Sequence, residues 1–423
     1  MPQEQTCFLS YISRTVYVLR LDMYNMCDFV PAQQERRNKM AGFGFSEEEE
    51  LFRRQIQEFA QKEIASGAKQ RVKREGIDRE MAKKMARIGL LSMNAPAKYG
   101  GVPTSWIKVG IAVEELAKVD FSAGNFVIQV PGFLGQVLSY ASPEVQDEWY
   151  PRILNVEAFT CLCLTEPDCG SDAVAIKTRA EKEDGYYVIT GEKTAVTCGM
   201  QANIAAVFAK TDPAAGARGV SCFIVPLDLP GVTRGPLKDM GWIPMQRAWI
   251  NFDRVRVAPK YLVGQEGRGF YMAMDTIGCV RVLLSLLAIG KAEAAVEEAI
   301  RYAKQRTAFG RPIARFEGTA FRIAEQATIL ESARLLCYRA LWLKDQGQKN
   351  LKEAAMAKWY GTRMAVMAIH EMLLIFGHVG YCEDYPIEQY LRDAIGNEIG
   401  DGPAEIMKLI IAREIIGREF EPM

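Results

Sequence analysis

The sequence contains only two histidines, His370 and His378, and no pair of cysteines with CxxC spacing. Zinc sites and serine-type catalytic triads depend on such residues, so we expect no histidine-based metal site and no such triad. The ten cysteines are scattered along the chain, which is typical of reduced thiols in a cytoplasmic protein.

The chain also lacks net charge and long apolar runs. Lys+Arg and Asp+Glu both number 52, so no net field attracts the protein to nucleic acid. No uninterrupted apolar run reaches the length needed to cross a bilayer, so we expect no membrane span. With 423 residues, the chain is too long for one compact core and indicates two or three domains.

Residues 1–39 differ from the rest of the chain. Their apolar stretch is interrupted by Arg14, Arg20 and Asp22, and so lacks the continuous apolar region of a signal peptide. A clean helical pattern begins soon after Met40. We therefore expect translation to begin near Met40 and residues 1–39 to be a spurious or disordered extension.

The hydrophobic period changes twice along the chain. Residues 40–158 place apolar side chains every three or four positions, which predicts helices. Residues 159–269 contain strand-length segments of period two, bounded by Gly, Asp and Pro. Residues 270–423 return to long helical segments of bundle length. The pattern predicts an α+β protein of three domains: helices, a β-domain and a helical bundle.

A single acid near the C-terminus stands where a catalytic base could lie. A helix is predicted to end at Gly396-Asn397 and another to start just after Pro403. Between them, residues 400–402 read Gly-Asp-Gly, a tight turn that leaves room for a ligand to approach Asp401. The alternative is that Asp401 caps the following helix.

Two further stretches carry candidate binding residues. TEPDCGSD, at 165–172, could present hydroxyls to a polar ligand, although it also reads as a surface turn. RTAFGRP, at 306–312, is a basic break between long helices that could bind a phosphate or be a solvated turn. A hairpin pattern, GYYVITGEKTAVTCG, lies between these stretches and includes Thr197.

Taken in order, these motifs resemble those of the acyl-CoA dehydrogenase family from about Phe45 to Phe420. The resemblance rests on TEPDCGSD, YVITGEKTAVTCG, DRVRVAPKYLVGQEGRGF, YAKQRTAFGRPI, IFGHVGYCEDYPIEQYLRDA and DGPAEIMKLIIAREI. It implies an N-terminal helical domain, a central β-barrel-like domain and a C-terminal four-helix bundle, usually in a homotetramer. FAD would lie between the β-domain and the bundle, and electron-transfer flavoprotein would accept the electrons.

The resemblance also implies roles for particular residues. The α-proton of an acyl-CoA thioester would be removed by Asp401 while hydride passes to the flavin. Thr165 and Thr197 would lie against the isoalloxazine. The acyl-CoA would be bound by Ser171, Gly402 and Arg281. Arg306, with backbone near Phe309, would bind the FAD diphosphate of a neighbouring subunit.

Several positions depart from the family pattern. The family's base is usually glutamate, one methylene longer than Asp401, and a misplacement of about 1 Å can cost roughly 10²-fold in rate. Ala195 replaces a usual tryptophan and Gly400 an often-found tyrosine. Smaller residues here suggest a wider acyl group, such as an alicyclic or branched one, and cyclohexane-1-carboxyl-CoA is our candidate. Val280, at the family's second base location, cannot serve, and we read Glu398 as solvated.

Two alternatives remain open. A non-catalytic relative could keep the fold as an assembly or binding protein, although the intact Asp401-Gly402 pair argues against this. Alternatively, the enzyme could carry out 1,4-elimination from a cyclohexene thioester with a different acid. Asp120 is the candidate for that acid.

Overall fold

The computed structural model describes residues 44–420, apart from the side chains of residues 133–136 and 418. The chain divides after Phe52 into two units, and every site residue considered below belongs to the second. The expected start at Met40 and the extension 1–39 lie outside the described residues.

The N-terminal part of the described chain is helical. Several of its helices begin with a side-chain cap, as at Asp78, Ser105 and Ser142, which satisfies free N–H groups of the first turn. The helices are Glu47–Phe59 (α1), Ala68–Arg71 (α2), Arg79–Arg87 (α3), Trp106–Val119 (α4), Phe121–Val127 (α5), Gly135–Ser139 (α6) and Pro143–Leu154 (α7).

A seven-stranded sheet follows. Its strand order is β1-β4-β2-β3-β7-β6, and β5, which is off this path, pairs antiparallel with β4. Strand β1 pairs with β4 in parallel, whereas β3 pairs antiparallel with β2 and β7. The strands are Thr160–Cys163 (β1), Arg179–Glu183 (β2), Tyr186–Val196 (β3), Ile204–Lys210 (β4), Val220–Pro226 (β5), Val232–Pro236 (β6) and Ala248–Val257 (β7).

The C-terminal part is a bundle of long helices. The helix Gly269–Gln305 is its buried centre, and it packs against α4 and against the helices Glu317–Asp345 and Leu351–Phe376. The elements are Gly269–Gln305 (α8), Thr307–Ala308 (β8), Arg311–Pro312 (β9), Glu317–Asp345 (α9), Leu351–Phe376 (α10), Ile387–Ile399 (α11) and Ala404–Ile416 (α12). Helices, sheet and bundle appear in the predicted order, so the predicted fold class is confirmed.

By length and composition, two helical segments of the described chain could cross a membrane, although the sequence predicted no span. They are Gly269–Gln305 and Leu351–Tyr381. In the first segment, 78% of the apolar 18-residue stretch is buried in the structure, and in the second 39% is buried. A core helix of a bundle can be as long and as apolar as a membrane span, and burial inside the bundle is typical of such a core helix.

One local prediction was wrong, and a second is made more specific by the structure. Helix α11 continues to Ile399 instead of ending at Gly396-Asn397, because Gly396 serves close packing: a Cβ there would lie 2.8 Å from Trp242 Nε1. The break at 306–312 is not a simple interhelical turn. It is a two-stranded hairpin, β8–β9, whose tip residues Phe309 and Gly310 have φ of 50° and 75°, as a tight hairpin turn requires.

Candidate active site

Asp401 lies in the turn between α11 and α12 with left-handed backbone geometry. Its φ is 55° and that of Gly402 is 108°, conformations that cost free energy for a residue with a side chain. The carboxylate is half-buried and forms no hydrogen bond or ion pair with any described residue. Helix α12 is capped at Pro403 without a side-chain hydrogen bond, so Asp401 does not cap it.

Two buried cations hold this turn. Arg281, on α8, donates from Nε to the carbonyl oxygen of Asp401 at 2.9 Å. Lys358, on α10, donates from Nζ to the carbonyl of Asn397 at 2.6 Å and to that of Gly402 at 3.3 Å. Arg281 is 7% exposed and Lys358 is 1% exposed. The structure therefore brings together Asp401, Gly402 and Arg281, which the sequence had assigned to one site.

The electrostatics of the turn suit a proton acceptor. Burial raises the pKa of Asp401 above its usual range, and the positive charges of Lys358 and Arg281 partly offset this. Burial also lowers the pKa of Lys358 to about 8, with Asp401 opposing the shift. A carboxylate with a raised pKa is a stronger base toward a carbon acid than an ordinary surface aspartate.

Thr165 and Thr197 follow the ends of β1 and β3, and the backbone joins these ends directly. The N–H of Thr194 donates to the carbonyl of Thr165 at 2.9 Å. Both threonine side chains are partly exposed, and neither hydroxyl has a partner among the described residues. Ala195 and Cys198 have φ of 55° and 60°, and the β3–β7 register shifts between Lys193 and Val196.

Such strain and bulges are common beside binding sites because they re-aim side chains. Free hydroxyls on two rigid, adjoining strand ends can donate to a planar, polar ring system. This edge of the sheet therefore fits the isoalloxazine of a flavin, and Thr165 and Thr197 would hold it.

The loop after Thr165 is braced by a buried ion pair. Lys193 Nζ lies 2.8 Å from Glu166 Oε1 and also donates to the carbonyl of Leu164 at 3.0 Å. Glu166 accepts the backbone N–H groups of Lys177 and Thr178 in turn. Ser171 lies farther along this loop and is exposed.

A further contact fixes the segment between β6 and β7 against the helix that leads to Asp401. The Trp242 backbone N–H donates to Asp393 Oδ1 at 2.8 Å, and its indole Nε1 donates to the Asp393 carbonyl at 2.7 Å. Trp242 follows β6 and Asp393 lies in α11. The edge that fits a flavin and the turn that carries the acid are thereby held in a fixed relation.

Arg306 and Phe309 lie elsewhere. Arg306 follows the last residue of α8, and the rise of 1.5 Å per residue puts the end of α8 about 36 Å from Arg281. Both Arg306 and Phe309 are exposed, and Phe309 is 95% exposed. One flavin cannot contact Arg281 and Arg306 of the same chain, so Arg306 can serve a flavin beside Arg281 only across a subunit boundary.

The rival acids have structural partners. Asp120 is 1% exposed, caps α5 through the N–H groups of Ser122 and Ala123, and pairs with Arg71 at 2.7 Å. Glu398 is partly buried and pairs with Arg363 at 3.3 Å instead of being simply solvated.

Sequence reasoning missed Lys358, Trp242 and Asp393. Lys358 did have a signal: it is the one charged residue in the apolar helical segment AAMAKWYG, at 354–361, where a charge needs a buried partner. The contact between Trp242 and Asp393 had no signal, because it joins segments that are distant in sequence.

Comparisons with known proteins point to one family. Models of the acyl-CoA dehydrogenase N-terminal, middle and C-terminal domains match residues 46–157, 161–255 and 267–416. An acyl-CoA dehydrogenase of Bacillus subtilis is 36% identical over 375 residues, covering 88% of this chain and 99% of that protein. A 3-(aryl)acrylate reductase of Clostridium sporogenes is 35% identical over 374 residues, covering 88% and 99%. The structure of butyryl-CoA dehydrogenase from Megasphaera elsdenii matches with a TM-score of 0.84 at 29% identity, covering 89% of this chain and all of that one.

The chain belongs to the acyl-CoA dehydrogenase family. The predicted enzyme class, a flavin-dependent oxidoreductase, is confirmed, and so is FAD as the cofactor.

Proposed function

We propose that this enzyme dehydrogenates an acyl-CoA thioester with Asp401 as the general base. The observation that carries the proposal is a half-buried carboxylate, free of hydrogen bonds and ion pairs among the described residues, in a strained turn beside two buried cations. FAD, when bound, supplies the acceptor for the β-hydride. The thioester acidifies the α-carbon, and Asp401 takes that proton.

The backbone supports the same chemistry. The amide N–H of Asp401 has no hydrogen-bond acceptor in the described part of the chain. It can donate to the thioester oxygen as that oxygen gains negative charge, which lowers the barrier to proton removal. Arg281 holds the carbonyl of Asp401, and so fixes the direction of the turn that carries this donor. Gly402 keeps the turn open to substrate, and Ser171 would contact the acyl-CoA.

We infer a wide acyl group, alicyclic or branched, such as cyclohexane-1-carboxyl-CoA. Asp401 is shorter than glutamate, and Gly400 and Ala195 have little or no side chain, so a bulky group has room beside the base and the flavin edge. The 3-(aryl)acrylate reductase, whose name indicates an aryl group, is 35% identical to this chain.

The alternatives are less well supported. A 1,4-dehydrogenation that uses Asp120 would need the acid that caps α5 and pairs with Arg71 to leave both partners. A non-catalytic assembly protein would not need a strained acid without a partner. We further propose a cytoplasmic homotetramer that passes electrons to electron-transfer flavoprotein.

Anaerobic flavin reduction tests the base. Asp401→Asn keeps the size of the side chain but cannot take a proton, so acyl-CoA should still bind while reduction slows by about 10²–10⁴-fold. The measurement is stopped-flow bleaching of flavin absorbance with straight, branched and cyclic acyl-CoAs.

Glu398→Gln is the matched control, because it removes a neighbouring carboxylate and should leave the rate close to wild type. Rapid reduction of Asp401→Asn would show that another acid takes the proton. Rapid reduction by straight chains but not by rings would overturn the proposed substrate class.

A further inference from the structure

Lys358 is an ammonium group buried in an apolar part of the bundle. An isolated buried charge is costly, so it persists only where hydrogen bonds or opposite charges compensate. Among the described residues, Lys358 forms no ion pair. Its Nζ donates instead to two backbone carbonyls, those of Asn397 at 2.6 Å and Gly402 at 3.3 Å.

These two carbonyls flank Asp401. Asn397 lies in the last turn of α11 and Gly402 directly follows the acid, so one ammonium spans the turn between them. Arg281 holds the carbonyl of Asp401 itself from a different helix. A left-handed aspartate is strained and requires such bracing to keep a single conformation.

We propose that Lys358 is a positioning residue for the base: its ammonium fixes the turn around Asp401 and favours the ionised carboxylate. This inference rests on the proposed function of Asp401. Lys358 does not need to touch substrate or flavin, since it acts through the backbone of the turn and through its charge.

The charged groups around Lys358 set the sign of the effect. They are Asp401 and Glu398, which favour its charged form, and Arg281, which opposes it. Burial raises the pKa of Asp401, and Lys358 is the larger of the two positive influences that lower it. Removing the ammonium therefore raises the pKa of Asp401 further, and catalysis requires a higher pH to ionise it.

The test compares wild type, Lys358→Met and Lys358→Gln as FAD-loaded proteins, with flavin reduction measured across pH. In the profile of reduction rate against pH, the acidic limb is the fall in rate at low pH. Without the ammonium, this limb should move up by about one pH unit, and the rate at pH values below it should fall about tenfold. Lys358→Gln can still donate to one carbonyl but carries no charge, so it should show the shifted limb if Lys358→Met fails to fold. Hydrogen exchange of the peptide spanning residues 397–402 should also accelerate, and that readout needs no substrate.

Lys291→Met is the matched control. Lys291 is also a buried lysine whose pKa burial lowers to about 8, but it donates to the carbonyl of Lys118 and lies over the Tyr390 ring. Its loss should reduce stability without moving the acidic limb.

The inference would be overturned if both Lys358 variants had the same acidic limb and the same hydrogen exchange as wild type. A loss of rate that is uniform across pH would also overturn it. Asp401→Asn, measured in parallel, separates the two proposals. If it still reduces flavin, the proposed base itself is wrong. If it is inactive while the Lys358 variants are normal, only the role of Lys358 fails.

Discussion

At the scale of single residues, Asp401 departs from ordinary behaviour in its backbone and its side chain. A left-handed non-glycine residue costs about 1–3 kcal/mol, and the partial burial of a carboxylate without a hydrogen bond adds to that cost. Selection for stability alone would favour glycine or asparagine in such a turn. The combination therefore points to a role for the acid that outweighs its cost to the fold.

Asp401→Glu tests whether the shorter acid fits a wide substrate. The extra methylene moves the carboxylate by about 1 Å or more, which can change the rate roughly 10²-fold. We expect reduction by a cyclic acyl-CoA to fall at least tenfold while reduction by butyryl-CoA is retained or rises. The rates are compared in the same stopped-flow assay. An equal loss with both substrates would show that Asp401 is not tuned to acyl width.

The acid could be predicted from sequence because its turn is local: two glycines and a proline surround it within four residues. Its bracing could not be predicted. Arg281 and Lys358 reach the turn from helices α8 and α10, and only packing of the bundle decides which carbonyls they meet. The raised pKa of Asp401 depends on the same packing, so it too had no signal in the sequence.

At the scale of elements, α11 links the sheet to the acid. The middle of this helix receives Trp242 from the segment between β6 and β7, and its end leads into the turn that carries Asp401. Glycine near the end of a helical pattern usually indicates a C-terminus, which is why sequence reasoning ended α11 too early. The glycine is there because the tryptophan ring needs its space, a reason that lies outside the segment.

Gly396→Ala tests this packing. The added Cβ would lie 2.8 Å from Trp242 Nε1 and 3.0 Å from its Cε2, atoms of a rigid ring. We expect a loss of about 1–3 kcal/mol in stability from overpacking, despite a gain of up to about 1 kcal/mol in helix propensity. Gly318→Ala is the matched control, since Gly318 lies in α9 with open space around it and should be neutral or slightly stabilising. Equal melting temperatures for the two variants would contradict the packing role of Gly396.

At the scale of the whole molecule, the length of α8 decides which residues can share a flavin. Arg281 and the hairpin that begins after Arg306 lie at distant points along one continuous helix, so one chain cannot bring both to one site. The hairpin tip exposes Phe309, whose ring meets Phe316 edge to face at 6.1 Å between centroids. An exposed aromatic beside arginines suits contact with a second subunit.

Mixed assemblies test this arrangement. If Arg306 binds the FAD diphosphate, Arg306→Ala should weaken FAD retention, because a charge-assisted contact would be lost. Asp401→Asn should slow flavin reduction by orders of magnitude. If Arg306 serves a neighbour's flavin, unfolding and refolding the two variants together should restore activity. A site in an Arg306→Ala chain keeps its own Asp401 and can receive Arg306 from an Asp401→Asn chain. Each variant refolded alone is the control. If the mixture is no more active than the summed activities of the two variants refolded alone, Arg306 does not act across the subunit boundary.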